Sequence, residues 1–160
     1  MKTYLIGFMG SGKTFWAKKL SEKLSLGYFD IDEEIEQSSE LKINDIFSHY
    51  GEKHFRNLES KLLLNSSFDG IIATGGGIIE LSQNRKFLKN NITIWINPDW
   101  EIIYNRIKKS DRPLVKQLSE HELHLLWEKR KPLYKECASY VISHDIENGL
   151  ERILSQYLDF

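Results

Sequence analysis

Gly7-Phe8-Met9-Gly10-Ser11-Gly12-Lys13-Thr14 is the stretch from which the rest of the chain can be read. Its spacing, G-x-x-x-x-G-K-[ST], places glycines where consecutive backbone N–H groups must turn inward with no side chain in the way. Gly7, Gly10 and Gly12 give that freedom. Lys13 adds a flexible cation, and Thr14 adds a hydroxyl at the start of a helix whose N-terminus favours anions. The flanks agree: Thr3 to Ile6 reads as an apolar strand, and Ala17, Leu20 and Leu24 make one helical stripe. A loop of this kind binds nucleotide phosphates, so ATP and Mg2+ are the expected ligands, with Gly10, Ser11, Gly12, Lys13, Thr14 and Phe15 at the phosphate site.

Outward from this loop, short β-branched and aromatic runs alternate with segments of helical spacing, the pattern of βαβ units around a parallel sheet. Strands are predicted at Thr3 to Ile6, Gly27 to Phe29, Ile71 to Thr74, Ile92 to Ile96 and Tyr140 to Ile142. Helices are predicted from the loop onward and at Glu52 to Leu64, Pro98 to Lys108, Glu120 to Tyr134 and Asn148 to Leu158. The expected fold class is α/β, a three-layer α/β/α sandwich with a central five-stranded parallel sheet. No Pro-, Gly- or Ser-rich linker divides the chain, so residues 1–160 are expected to form a single domain.

The bulk composition narrows the partners. With 22 Lys and Arg against 23 Asp and Glu, the net charge is -1, and no basic field is available to attract nucleic acid or an anionic membrane. Apolar runs fall well short of the ~20 residues that span a bilayer, and Met1-Lys2-Thr3 leads straight into a strand, so export is not signalled. The single cysteine, Cys137, suits a reducing cytoplasm and is expected to be a buried thiol. The five histidines are not joined by cysteines at metal-ligand spacing and are read as surface residues. Small molecules are the expected partners of a cytoplasmic monomer.

Beyond the loop, other residues carry chemistry. Asp30 and Asp32, two apart at the end of the second strand, are expected to project to one side, one toward magnesium and one as acceptor of a hydroxyl proton. Asp32 is also a candidate N-cap for a helix that begins near Glu33. Arg56 and Glu59 share a helix face: either they form a surface ion pair, or Glu59 steadies the Arg56 fork for a substrate carboxylate. Gly75, Gly76 and Gly77 end a central strand, and their backbone N–H groups are expected to approach a ligand more than to serve packing. Arg112, in the polar run that interrupts two helices, and Arg130 are further candidates, with Arg112 on a mobile lid.

Taken together, Asp30-Ile31-Asp32, the run Gly51-Glu52-Lys53-His54-Phe55-Arg56-Asn57-Leu58-Glu59, Gly75 to Gly77, Arg112-Pro113-Leu114, and Arg130 with Tyr134 resemble the shikimate kinases over nearly the whole chain. The resemblance implies transfer of the ATP γ-phosphate to the 3-hydroxyl of shikimate, a step toward chorismate and the aromatic amino acids. It implies that Arg56 and Arg130 take the shikimate carboxylate, that Asp32 and the glycine turn bind its hydroxyls, that Glu59 is a further substrate-binding residue, and that Phe47 and Phe55 wall the ring. It also implies Asp30 and Thr14 at magnesium, Lys13 and Arg112 on the phosphoryl group, and Arg106 against adenine. Substrate-binding helices would span about residues 32–64 and the lid about 109–118. The stretch Ser143-His144-Asp145-Ile146-Glu147 does not show the family's usual adenine-loop pattern. The rival readings are a gluconate-like or nucleoside monophosphate kinase of the same fold and a non-catalytic ATP-binding module. No Asn-Lys-x-Asp motif of a GTPase occurs.

Overall fold

The structure, a computed structural model, describes residues 1–158. A five-stranded sheet, all parallel, runs in the order β2-β3-β1-β4-β5. Its strands are β1 (Lys2–Ile6), β2 (Tyr28–Asp30), β3 (Gly70–Ala73), β4 (Ile92–Ile96) and β5 (Tyr140–Ile142). Each expected strand is present, with β2 and β3 offset by one residue. Successive side chains alternate between two cores. Tyr4, Ile6, Ile72 and Trp95 face one, whereas Leu5, Ile71, Ala73, Ile94 and Ile96 face the other. Burial on both sides accounts for the continuous apolar runs.

Helices cover both faces: α1 (Lys13–Leu24), α2 (Ile31–Ser39), α3 (Ile43–Asn65), α4 (Ser82–Lys89), α5 (Trp100–Ile107), α6 (Pro113–Gln117), α7 (Glu120–Cys137) and α8 (Ile146–Leu154). The helix expected from Glu52 is the second half of α3, which bends at Gly51 (φ 81°, ψ 166°). Its first half, α4 and α6 carry too few apolar residues in their short spans to be read from periodicity, since tertiary packing fixes them. α6 opens with Pro113 in its first turn and lies within residues 109–118, the expected lid. α7 begins on a capping box, Ser119 with Glu122, and runs three residues past its expected end to Cys137, through Pro132. α8 is earlier and shorter than expected. Cys137 is buried, and burial pushes its thiol up to about 11.

The order of the sheet sets the site. β2, β3 and β1 are neighbours, so the segments that leave their carboxyl ends meet: Asp30 and α2, the glycine turn, and the Gly7 to Thr14 loop.

The β2–β3 edge rests on a close approach. Gly70 has φ 137°, and a Cβ there would collide with the Gly27 carbonyl, whose oxygen accepts from Ile71 N at 2.9 Å. Gly70→Ala should destabilise the fold by more than ~1 kcal/mol, read as a lower urea midpoint. An unchanged midpoint would mean that this edge is not closely packed.

Candidate functional site

The phosphate loop is built as its spacing predicts. Gly7, Gly10 and Gly12 have φ of 149°, 79° and 97°, a region that L side chains rarely adopt. Gly12 is the N-cap of α1 and offers no side-chain oxygen to the first turn, which leaves that turn open to an anion. Lys13 Nζ donates to the carbonyl oxygens of Gly7 at 2.8 Å and Phe8 at 3.0 Å. Burial, and next the Arg112 cation, lower its pKa to about 8. Ser11 is fully buried, its Oγ 3.5 Å from the same amine, so its side chain supports the loop from beneath.

The two aspartates differ from the expected pair. Asp30 ends β2 and is itself the N-cap of α2, accepting from Asp32 N at 2.9 Å and Glu33 N at 3.2 Å. Asp32 therefore sits in the first helical turn, and the alternation of an extended strand is not what brings the two together. Asp30 Oδ2 takes the Thr14 hydroxyl at 2.6 Å, which joins α1 to β2 with two hard oxygen groups of the kind magnesium prefers. Asp32 Oδ1 is buried and has no partner. Burial, then repulsion from Asp30, raises its pKa to about 6 against the pull of Lys13.

The Arg56–Glu59 pair is not a surface bridge. Nη1 of Arg56 lies 2.6 Å from Glu59 Oε2, with Arg56 at 9% and Glu59 at 0% exposure, while Nε and Nη2 reach Glu52 at 3.2 and 2.9 Å. Arg130, buried in α7, holds Glu80 at 2.8 Å and lies 5.7 Å from the centre of the Phe8 ring. Glu52 lies one helical turn from Arg56, a spacing the sequence carries. Glu80 is fifty positions from Arg130, and nothing in the local sequence pairs them.

Gly75, Gly76 and Gly77 have no positive φ; what they provide is space. A Cβ on Gly75 would strike Glu59 and Asp32, and one on Gly77 would strike the Arg56 guanidinium. Gly76 lies against the backbone of Phe8 and Met9, and its carbonyl accepts from the Tyr134 hydroxyl. The run thus packs charged side chains against bare backbone, and all three glycines also line the first of the two cavities described below.

Two cavities flank Arg112. One, of about 480 Å³, is lined by Asp32, Phe47, Phe55, Arg56, Glu59, Gly75, Gly76, Gly77, Arg112 and Arg130, together with Glu36, Lys42 and Asn44, which sequence reading missed. Phe47 and Phe55 stand with ring centroids 5.0 Å apart on its wall. The other, of about 520 Å³, is lined by Gly10, Gly12, Lys13, Thr14, Phe15, Arg106 and Arg112, and by Trp16 and Ser110, which were not singled out. Asp30 lines neither; it is buried behind Thr14. Asn44 Nδ2 donates to the Asp111 carbonyl at 2.9 Å, linking α3 to the segment before α6. His124 is not a plain surface residue: it packs edge-on against Trp100, centroids 5.0 Å apart. Among the described residues, no cluster of three or more His, Cys, Asp or Glu side chains encloses a metal by itself.

The chain compares closely with known proteins. The shikimate kinase family model matches residues 9–160. Shikimate kinase of Persephonella marina is 42% identical over 138 residues, 84% of this chain and 84% of that one. That of Macrococcus caseolyticus is 41% identical over 150 residues, 92% and 89% of the two chains. The structure of shikimate kinase from Acinetobacter baumannii in complex with shikimate matches with a TM-score of 0.87 at 37% identity, covering 99% of this chain and 95% of that one.

Burial pushes the Glu59 carboxyl up to about 7, from an ordinary 4.5, although Arg56 opposes the shift. Between those values the folded chain keeps a proton that the unfolded chain has released. The stability this group contributes is therefore fully present below pH 4.5 and lost as pH rises through 7, on the order of 3 kcal/mol. Urea unfolding at pH 5 and pH 8 should show a steeper loss for the native chain than for Glu59→Gln. Equal slopes would mean that Glu59 does not titrate in this interval.

Proposed function

Because the chain belongs to the shikimate kinase family, we propose that it transfers the γ-phosphate of ATP to the 3-hydroxyl of shikimate, giving shikimate 3-phosphate and ADP. The observation that carries this reading is the pair of cavities meeting at Arg112. One is lined by the phosphate loop, and the other by two buried guanidiniums and an unpartnered carboxylate oxygen.

The chemistry follows from those groups. Arg56 and Arg130 are held by carboxylates of the chain itself, which fixes their planes, and each has donors left for a planar carboxylate such as that of shikimate. Phe47 and Phe55 wall the carbocycle, and Glu59 acts through Arg56. Asp32 faces the hydroxyl that attacks. With its pKa near 6 it is largely ionised at neutral pH yet basic enough to accept that proton as the O–P bond forms. Lys13 and the loop N–H groups hold the β- and γ-phosphates, and Arg112 neutralises charge on the phosphoryl group in transit. Thr14 and Asp30 are the residues that would hold magnesium, which would supply positive charge to offset that of the phosphates.

Residues 1–160 act as one kinase domain in this reading, with α2 and α3 as the substrate-binding helices and residues 109–118 as a lid that excludes water. The protein works as a cytoplasmic monomer; no helix among the described residues is long and apolar enough to cross a membrane.

ADP release from ATP and magnesium should depend on shikimate, and gluconate and nucleoside monophosphates should not replace it; no turnover with shikimate would overturn the assignment. Arg56→Ala should raise the KM for shikimate at least about tenfold, because the planar fork is lost. Arg112→Ala should lower kcat by about a thousandfold, and a tenfold effect would reduce Arg112 to lid packing.

A further inference from the structure

The glycine turn carries donors as well as room. Gly75 and Gly77 are buried, yet the N–H groups of Gly75, Gly76 and Gly77 have no acceptor among the described residues. Buried backbone donors are nearly always paired, so a run of open ones marks a place where an acceptor arrives from outside the chain. All three glycines line the first cavity. The carbonyl side of the same turn is closed. Tyr134 donates its hydroxyl to the Gly76 carbonyl, and beyond the run Asn84 Nδ2 donates to the Ile78 carbonyl at 2.9 Å and Arg85 Nη1 to the Ile79 carbonyl at 2.8 Å. Tyr134 is fully buried, and its ring stacks on Trp95 of β4 with centroids 5.6 Å apart. Burial raises its phenol above the ordinary range, so the hydroxyl keeps its proton and the bond runs from Tyr134 to the carbonyl.

We propose that Tyr134 is a positioning residue: held by Trp95, it fixes the Gly76–Gly77 peptide so that the Gly77 N–H points into the cavity at an oxygen of the substrate. The reason is planar geometry. With no cis peptide bond among the described residues, the C=O and N–H of that unit point in opposite directions, so an anchor on the carbonyl sets the direction of the donor. Accepting a hydrogen bond at the carbonyl also polarises the peptide and strengthens its N–H. A Cβ on Gly77 would meet the Arg56 guanidinium, so this amide and that cation serve the same part of the cavity. Tyr134 lies one turn beyond Arg130 on α7, and one helix thereby sets a direct substrate contact and an indirect one. The proposal rests on the shikimate reading above and adds to it a residue that does not itself line the cavity.

The test is Tyr134→Phe, which keeps the ring on Trp95 and removes only the hydroxyl. The KM for shikimate should rise about 3- to 10-fold, the weight of one oriented hydrogen bond, while kcat and the KM for ATP stay within about twofold. An unchanged KM for shikimate, or an equal rise in both KM values, would overturn the positioning role, since a merely structural bond loosens both sites or neither. In the native chain the Gly77 amide resonance should move when shikimate is added. A resonance unmoved at saturation overturns the proposal even if the variant does not fold. Failure of the shikimate reading itself would show first, as a native chain with no shikimate-dependent ADP release, and would take this inference with it.

Discussion

The Arg56 guanidinium, buried under the Gly77 backbone between Glu52 and Glu59, is the contact on which the substrate side of this molecule depends. A buried cation is tolerated only when paired and hydrogen-bonded, and losing one partner of such a pair costs about 3–5 kcal/mol. Several features follow from that one requirement. Gly51 bends α3 so that Glu52 opens its second half one turn before Arg56. Gly75 and Gly77 carry no Cβ because a carboxylate and a guanidinium occupy that space.

The glycine run joins the two halves of the site. Gly76 lies against Phe8 and Met9 of the phosphate loop on one side and takes the Tyr134 hydroxyl of α7 on the other. Arg130, one turn earlier on α7, pairs with Glu80 just beyond the run. The loop after β1, the turn after β3 and helix α7 are thus tied at one place, and the cavities on either side keep a fixed relation. Arg112 lines both from the start of α6.

At this end of the sheet Lys13 is held by carbonyl oxygens and not by a carboxylate, and the buried Asp32 Oδ1 has no partner. Asp32 is held above its ordinary range and Lys13 below its own, each mainly by burial. In the proposed reaction, phosphate charge would meet Lys13 and a substrate hydroxyl would meet the open Asp32 oxygen. Such preorganised groups stabilise a transition state without reorganising at the moment of reaction.

By itself, the sequence determined the phosphate loop, the five strands, the parallel α/β class and five polar side chains of the first cavity, Asp32, Arg56, Glu59, Arg112 and Arg130. These are readable because a loop motif, β-branched runs and i, i+3 pairs are local. Tertiary structure decided the rest. Asp30, rather than Asp32, became the helix cap, because α2 begins at Ile31, two residues before the expected start near Glu33. The glycine run also makes room for side chains of α2 and α3, and Arg130 met a partner fifty positions away. Trp16, not singled out in the sequence, came to lie near Arg106 against Gly12 of the loop. All of these are contacts between segments distant along the chain, fixed by strand order and helix packing, and no local pattern encodes them.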